Sequence, residues 1–374
     1  MTRFKTSAYA VVAAALVLGV TAPAAGAHDS HPSHGAHSSH EDHSSHEDHS
    51  SHRDSSSVPF TSATVTENAD GSFTVAWSAR GTHGVTIRTE GRTVARGGET
   101  GKVTVRGLRA VDRRWFDLVP ARGTSLHLAD RLIKLQGTVN FRDAGGYRTA
   151  DGHWVKMGEI YRSDALHLLT ADDLTKLRRL GIRTVFDLRM RSERDKDPDR
   201  VPAGASHVVA DVLAGTPTFS GMPKTPAEAE AMMVEGNRFM VSGDTAKAAY
   251  TTVFDGIADE GRHGVLFHCT AGKDRTGWNN ATLLTALGVP EKTVMDDYLA
   301  SNTYRAAANE AVLSHLPPEQ AAVYKPLLDV RPEYLDASFA EVREEYGSFR
   351  SYLKQGLGID ARELAELKRD LLVG

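Results

Sequence analysis

The stretch Gly264-Val-Leu-Phe-His-Cys-Thr-Ala-Gly-Lys-Asp-Arg-Thr-Gly277 decides the fold class, because it joins a predicted strand to a predicted helix through a short loop. The apolar run from Val265 to Phe267 indicates a buried strand, and a helix is predicted to start near Trp278. From about residue 126 onward, similar strands alternate with amphipathic helical patterns. The sequence therefore predicts an α/β domain with a mainly parallel central sheet flanked by helices.

The loop between this strand and helix contains a cysteine and an arginine six positions apart, Cys269 and Arg275. A thiolate is the nucleophilic form of cysteine, and a helix N-terminus, backbone N–H groups and a nearby arginine all favour it. Arg275 can hold two phosphate oxygens at once. The pattern predicts attack by Cys269 on a phosphate ester, and a buried structural cysteine is the alternative. The predicted phosphate-binding residues are Thr270, Ala271, Gly272, Lys273 and Thr276.

Departure of the leaving oxygen requires a proton donor, for which two aspartates are candidates. Asp211 follows a predicted strand that ends at Ala210 and enters a long loop with glycine and proline. Asp274 lies within the cysteine loop itself. Asp187 also ends a predicted strand, but we interpret it as a structural partner of Arg189. The sequence leaves the choice between Asp274 and Asp211 open.

The first 27 residues have the features of a secretory signal peptide. Arg3 and Lys5 give a positive start, residues 8–20 are apolar, and residues 25–27 are small enough for a cleavage site. The apolar run is short for a bilayer span, and no later segment is predicted to cross a membrane. We therefore expect a secreted, extracellular protein with no stable membrane span, and an uncleaved anchor is the alternative.

Residues 28–57 are a low-complexity segment in which histidine recurs at every third position. Serine, aspartate and glutamate fill the gaps, and because apolar residues are nearly absent we expect disorder. Imidazoles bind Zn, Ni or Cu, so loose divalent metal binding is one interpretation and a solvated spacer is the other. No metal site and no cofactor are predicted elsewhere. The histidines occupy positions 28, 31, 34, 37, 40, 43, 46, 49 and 52.

Residues 58–124 show the period-two alternation of β-strands, for example across residues 73–77. Turn dipeptides such as Asp70-Gly71 separate these strands. We predict a small all-β, sandwich-like domain that is short for a complete sandwich. Residues 103–108 followed by residues 115–118 resemble the end of a fibronectin type III-like sandwich.

The composition of the whole chain limits the classes of function. It has 374 residues, with 40% apolar and 25% charged side chains, which is typical of soluble globular proteins and long enough for two domains. The net charge of −4 argues against a general nucleic-acid binder. The single cysteine excludes an intramolecular disulfide, so a lone thiol in an exported chain needs another explanation.

The cysteine loop and several motifs around it resemble the tyrosine phosphatase superfamily and, within it, the secreted bacterial tyrosine and lipid phosphatases. The resemblance covers residues 126–374 and implies a phosphocysteine intermediate, no metal cofactor and activity on phosphotyrosine. It also implies that Lys273 beside Asp274 extends the substrates to phosphoserine, phosphothreonine and phosphoinositides, with Lys273 as a cation at the rim of the pocket. The matching motifs are Thr138–Tyr147, Tyr161–Ser163, Phe186–Arg189, His268–Gly277, Asp297–Asn302 and Glu344–Ser348.

We therefore expect phosphomonoester hydrolysis, with a phosphotyrosyl protein as the favoured substrate. A phosphoinositide phosphatase or a dual-specificity phosphatase is the alternative within the class. A secreted metal-binding or interaction protein with a vestigial phosphatase fold is the alternative outside it, although the intact pair of Cys269 and Arg275 argues against it. Residues 213–245 contain several prolines and a Met-Met pair, which predicts either a mobile lid or partner surface, or an ordinary helix packed on the core.

Overall fold

The structure, a computed structural model, describes residues 57–215, 221–259 and 264–374. The predicted signal peptide (1–27) and the predicted His-rich segment up to residue 56 lie outside the described residues. Within those described ranges, no helix combines the length and the apolar character needed to cross a bilayer.

Two antiparallel sheets form the N-terminal unit. Its strands are β1 (Phe60–Glu67), β2 (Phe73–Ala79), β3 (Val85–Thr89), β4 (Arg92–Gly97), β5 (Thr100–Val105), β6 (Trp115–Pro120) and β7 (Leu126–Ala129). One sheet has the order β1-β2-β5 and the other β4-β3-β6-β7. Alternate residues such as Trp77 and Ile87 fill the core between the sheets. The last strand pairs with β6 beyond the predicted limit at residue 124, so the sandwich extends to Ala129.

The sandwich packs directly on the rest of the chain. Trp154 belongs to the sandwich core although it lies outside the sandwich strands, and its indole N–H donates to the Phe60 carbonyl (3.2 Å). Arg113 pairs with Asp143 across the junction at 2.7 Å, and both side chains are buried. Buried polar and apolar contacts of this kind hold the two units together.

The C-terminal unit contains a mixed sheet. The remaining strands are β8 (Arg142–Asp143), β9 (Trp154–Val155), β10 (Ile160–Ser163), β11 (Thr184–Asp187), β12 (Ser206–Val209), β13 (Val265–His268) and β14 (Leu372–Val373). In the described ranges the main sheet has the order β12-β11-β13-β10-β8, and only β8 runs antiparallel to its neighbour. The prediction of a mainly parallel sheet is confirmed for this unit.

Helices cover both faces of this sheet. On β13, Val265 and Phe267 pack into one apolar cluster and Leu266 into another, as the alternation along a strand requires. The helices are α1 (Ala171–Arg179), α2 (Arg191–Lys196), α3 (Pro226–Ser242), α4 (Asp244–Ala258), α5 (Arg275–Ala286), α6 (Glu291–Tyr304), α7 (Ala306–Leu313), α8 (Pro318–Leu328), α9 (Pro332–Tyr346), α10 (Phe349–Ser351) and α11 (Ala361–Leu371), with a π-helical turn at Tyr352–Gly356. The cysteine loop lies at the carboxyl end of β13, the edge at which open parallel sheets bind ligands.

Two helices illustrate how the local sequence shapes this unit. The Thr170 side chain caps α1 and Asp173 returns the bond, which closes a reciprocal capping box. Helix α3 buries Met232 and Met233 in the main core, the packing expected of a core helix within residues 213–245.

Candidate functional site

The loop from Cys269 to Arg275 is shaped by donors that hold its carbonyl groups from outside. The donors come from the β8 region, the end of β10 and the end of α6. They are the Ala165 N–H to Thr270 O (3.1 Å), Asn140 Nδ2 to Ala271 O and Gly272 O (3.1 Å each), Arg162 Nη2 to Gly272 O (2.9 Å) and Arg305 Nη1 to Ala271 O (3.2 Å). Because the carbonyls are fixed outward, the amide N–H groups of the same peptides are directed to the inside of the loop.

These N–H groups have no protein acceptor. In the part of the chain that the structure describes, no backbone N–H from Thr270 to Asp274 donates a hydrogen bond to another protein group. Helix α5 begins directly afterwards at Arg275, so its first N–H groups add to the set. A ring of free N–H groups at a helix N-terminus binds an anion, and a tetrahedral phosphate fits it well.

Gly272 allows the loop to wrap. Its φ of +67° lies in the left-handed region, and a Cβ at this position would lie 2.5 Å from Ser163 O and 2.6 Å from the Asp164 nitrogen. Both atoms belong to backbone at the end of β10, so neither can move aside as a flexible side chain would. Gly272 is therefore required by its dihedral and by the close approach of a neighbouring strand.

We expect Gly272→Ala to lower kcat/KM by about 100-fold, since a shift of about 1 Å in a catalytic loop costs this much. Gly347→Ala is the matched control, because Gly347 has a similar φ of +73° and no atom within 4 Å of the added Cβ. The control should lose only about 1 kcal/mol of stability and keep its activity. Equal activity of the two variants on a phosphotyrosyl peptide would show that the close approach does not shape the loop.

Arg275 is held by a residue that the sequence analysis missed. Its Nη1 and Nη2 donate to the two carboxylate oxygens of Glu193 at 2.7 and 2.9 Å, a bidentate pair. Burial disfavours the charged form of Arg275, but Glu193 outweighs burial and raises its pKa. Burial alone would likewise raise the pKa of Glu193, and Arg275 lowers it instead. Glu193 lies on α2, a few residues after the Phe186–Arg189 motif. The only signal for it in the sequence is that it is an acidic residue near the start of a helix.

Three polar atoms of the loop region are buried and have no hydrogen-bond partner. They are Arg275 Nε, Thr276 Oγ1 and Asp274 Oδ1. Such groups are costly unless they bind something, so their clustering in one loop is a sign of a polar ligand. Thr270, also predicted to bind phosphate, instead donates its hydroxyl to Glu193. Its contribution to a bound phosphate therefore comes from its backbone N–H.

Lys273 and Asp274 form an ion pair inside the protein. Lys273 Nζ lies 2.7 Å from Asp274 Oδ2 and donates to the Asp329 carbonyl at 3.1 Å. Both residues are only 2% exposed. The sequence analysis expected Lys273 at the rim of the pocket. The structure places it in the interior instead, because its ammonium is bound by Asp274 and by the Asp329 carbonyl at the end of α8.

Asp211, the other candidate acid, has both carboxylate oxygens occupied. Oδ2 pairs with Arg194 at 3.1 Å, and Oδ1 accepts the Leu213 N–H at 3.1 Å. The expected pair of Asp187 and Arg189 is present, with Arg189 Nε and Nη2 donating to the two carboxylate oxygens at 2.9 and 2.8 Å. Asp187 therefore has the structural contact predicted for it.

Asp297 organises the polar layer beneath the loop. It accepts from Arg142 (3.2 Å), Arg162 (2.6 Å), the Tyr147 hydroxyl (3.0 Å) and Asn280 (2.7 Å). Burial would raise the pKa of Asp297, but Arg142 and Arg162 outweigh it and hold the pKa below its usual value. Burial, with help from Arg142, lowers the pKa of Arg162 to about 10, so Arg162 stays charged at neutral pH. Through its bond to Gly272 O, Arg162 connects this charge network to the loop.

The loop is covered in this conformation. Cys269 and Arg275 are both 0% exposed. The nucleophile candidate and its arginine are thus both shielded from solvent in this structure.

A loop with free amides, a cysteine at its start and a clamped arginine at its end is a site for covalent phosphoryl chemistry. A profile of the tyrosine phosphatase family matches residues 133–373. The chain therefore belongs to the tyrosine phosphatase family and is a phosphatase. Attack by a cysteine through a phosphocysteine intermediate is general to this family.

Two sequence relatives carry names that agree with this assignment. A protein of Cupriavidus necator that carries the provisional name tyrosine-protein phosphatase is 38% identical over 236 residues, 60% of this chain and 84% of that protein. The triple specificity protein phosphatase PtpB of Mycobacterium tuberculosis is 31% identical over 279 residues, 64% of this chain and 98% of PtpB. The crystal structure of P. aeruginosa TpbA aligns at 19% identity with a TM-score of 0.25, over 46% of this chain and 88% of TpbA.

Proposed function

We propose that this protein hydrolyses phosphomonoesters with Cys269 as the nucleophile. The observation that supports this best is the loop itself, whose carbonyls are held outward while its amides have no protein acceptor. The thiolate sulfur of Cys269 attacks phosphorus as the bond to the leaving oxygen breaks. Water then attacks the phosphocysteine, the P–S bond breaks, and inorganic phosphate leaves with the thiolate restored.

Arg275 binds the transferred phosphoryl group in this proposal. Glu193 occupies one hydrogen of each terminal nitrogen, and the Leu188 carbonyl accepts a second one from Nη1 at 3.4 Å. This leaves Nε–H and the remaining N–H of Nη2 for phosphate oxygens. The loop amides of Thr270, Ala271, Gly272 and Lys273 stabilise the equatorial oxygens, where charge develops in the transition state. Thr276 offers an unpartnered hydroxyl at the start of α5, next to the departing thiolate.

Asp274 is the general acid in this proposal, and Asp211 is the alternative. Asp274 lies in the loop and has one buried carboxylate oxygen without a partner, whereas both oxygens of Asp211 are bonded. Released from Lys273 and carrying a proton, Asp274 would protonate the leaving oxygen in the first step. As a carboxylate it would then accept a proton from the attacking water.

We expect Asp274→Asn to lower kcat on a phosphotyrosyl peptide by about 10²- to 10⁴-fold, since general acid catalysis contributes this much. The loss should be much smaller with an activated aryl phosphate, whose leaving group departs without a proton. Asp211→Asn is the comparison and should change kcat little with either substrate. If Asp211→Asn shows the dependence on the leaving group and Asp274→Asn does not, the roles are reversed.

We propose a phosphotyrosyl protein as the substrate, with phosphoinositides and dual specificity as the alternatives. The name of PtpB, triple specificity protein phosphatase, supports a broader range, and this chain spans 98% of PtpB. Lys273 favours a polyanionic headgroup only if it is released from Asp274 and from the end of α8. Export through residues 1–27 also remains part of the proposal, because that segment has the charge and apolar pattern of a signal peptide.

The test is phosphate release from a phosphotyrosyl peptide and from a soluble phosphoinositide, measured side by side. Cys269→Ser should release phosphate from neither, because the alkoxide it would need is far less accessible than a thiolate. The ratio of the two rates for the intact protein assigns the substrate class. Equal inactivity of the intact and mutant proteins on both substrates would favour the rival, a secreted binding protein with a vestigial phosphatase fold.

A further inference from the structure

Two aspartates and two histidines meet behind the cysteine loop, and the reaction proposed above uses none of them. They are Asp187 at the end of β11, Asp199 before β12, His207 on β12 and His268 at the end of β13. One ligand-type atom from each lies within 4.8 Å of the others. The group thus gathers side chains from the carboxyl ends of β11 and β13, from β12, and from the segment that precedes β12.

The two imidazoles converge on one carboxylate oxygen. His268 Nε2 lies 2.9 Å and His207 Nε2 lies 3.3 Å from Asp199 Oδ2. Despite the 2.9 Å approach, neither His268 Nε2 nor Asp199 Oδ2 has a hydrogen-bond partner of acceptable geometry. Both side chains are 0% exposed, so water does not satisfy these atoms from outside. Unsatisfied buried groups are rare in folded proteins and point to something that binds them.

Arg189 binds both carboxylates of the group. It donates to both oxygens of Asp187 and lies 2.8 Å from Asp199 Oδ1, which leaves Asp199 Oδ2 facing the imidazoles. Partners that bind the outer oxygens of ligating carboxylates orient them and are a regular part of metal sites. With both imidazoles neutral, the form that binds a metal, two carboxylates and one arginine leave one net negative charge, which favours a cation between the imidazoles.

We propose that Asp187, Asp199, His207 and His268 bind one divalent transition metal ion, with zinc as the ion that fits best. Two imidazoles with carboxylate oxygens suit zinc, whereas magnesium and calcium prefer oxygen ligands alone. Tetrahedral zinc with bonds of about 2.0–2.2 Å places its ligand atoms about 3.3–3.6 Å apart, so the most distant of the four side chains would move by about 1 Å to close the site. His207 is 35% exposed along its side chain and provides the route of entry.

Such an ion would act on structure rather than in the reaction. His268 is the residue before Cys269, so a metal bound to it would tie the start of the cysteine loop to β11 and β12. It would stabilise the folded state by mass action, because the unfolded chain does not hold these four ligands together. Bound metal should therefore raise the midpoint of thermal unfolding.

The experiment is equilibrium dialysis of the full chain against zinc, with His207→Ala and His127→Ala compared. His127 is a matched control because it is an exposed histidine paired with an aspartate, Asp117, outside the cluster. Metal held by the His-rich segment is common to both variants and cancels. We expect His207→Ala to lose one equivalent of zinc, or to bind it at least about 100-fold more weakly, and to lose the rise in unfolding midpoint on zinc addition.

Equal zinc content and an equal thermal response in the two variants would overturn the proposal. A second measurement does not depend on how the variants fold. Crystals of the unmodified chain grown with one equivalent of zinc should give anomalous density among the four side chains. Zinc density found only elsewhere would also overturn the proposal. The close contacts of the two histidines with Asp199 would then be explained by a shared proton instead of a metal ion.

Discussion

Arg275→Lys is expected to lower kcat/KM on a phosphotyrosyl peptide by about 10³-fold or more, or about 4 kcal/mol of transition-state stabilisation. Lysine keeps the positive charge but has no planar fork, so it cannot pair with Glu193 through two nitrogens and still donate to phosphate. The loss should appear mainly in kcat, since Arg275 stabilises negative charge that develops on the phosphoryl oxygens in the transition state.

Arg238→Lys is the matched control for this prediction. Arg238 also pairs with a glutamate, Glu341 at 2.8 Å, but it lies on α3, outside the cysteine loop. Its replacement should leave kcat and KM unchanged within about twofold, because exposed and half-exposed pairs contribute little. If Arg275→Lys is folded and keeps activity within about tenfold, Arg275 does not bind the transferred group.

Glu193 extends the same argument by one step. If it acts by orienting Arg275, Glu193→Gln should reduce kcat, and the combined replacement of Glu193 and Arg275 should cost little more than that of Arg275 alone. Residues that act as a unit show this lack of additivity. Full additivity would mean that Glu193 supports the fold in some other way.

The sequence predicted the α/β class and the position of the loop because both depend on local patterns. An apolar strand, a glycine-containing loop and a following helix can be seen within the Gly264–Gly277 stretch. The small β-unit could be recognised from its alternation, but β7 was missed, since four residues give too few repeats for a reliable period.

Features that depend on distant residues could not be predicted in the same way. The pairing of Glu193 with Arg275 joins positions 82 residues apart, and nothing in the local sequence of α2 indicates it. The burial of Lys273 follows from a carbonyl at Asp329, 56 residues away. A charged loop residue is expected to be exposed when only the sequence is known. The tertiary structure shows that Lys273 is instead neutralised by a buried ion pair with Asp274.

Asp297→Asn is the second replacement with a large expected effect, and it tests the layer that supports the loop. The amide keeps the shape of the side chain but removes the charge that Arg142 and Arg162 share, and both guanidinium groups are fully buried. Breaking a buried charge network by removing one partner costs about 3–5 kcal/mol. Activity should fall as well, since Arg162 also donates to Gly272 O.

Asp296→Asn is the control, one residue away on the same helix. Asp296 pairs with Lys292 at 2.7 Å, but the carboxylate is 59% exposed, and an exposed pair of this spacing contributes at most about 0.5 kcal/mol. Urea unfolding followed by tryptophan fluorescence should therefore shift the midpoint clearly for Asp297→Asn and hardly at all for Asp296→Asn. Equal midpoints would show that the two arginines are stabilised without the charge of Asp297.

The pH dependence of the stability difference between the unmodified chain and Asp297→Asn provides an independent check. The pKa of Asp297 is lower in the folded protein than its usual value, so its stabilising effect is complete at neutral pH and is lost as pH falls through the folded pKa. The stability gap between Asp297→Asn and the unmodified chain should then stay constant from neutral to mildly acidic pH and narrow only in strong acid. A gap that narrows near neutrality would mean that the carboxyl group is not held ionised by Arg142 and Arg162, and that another group beneath the loop neutralises them.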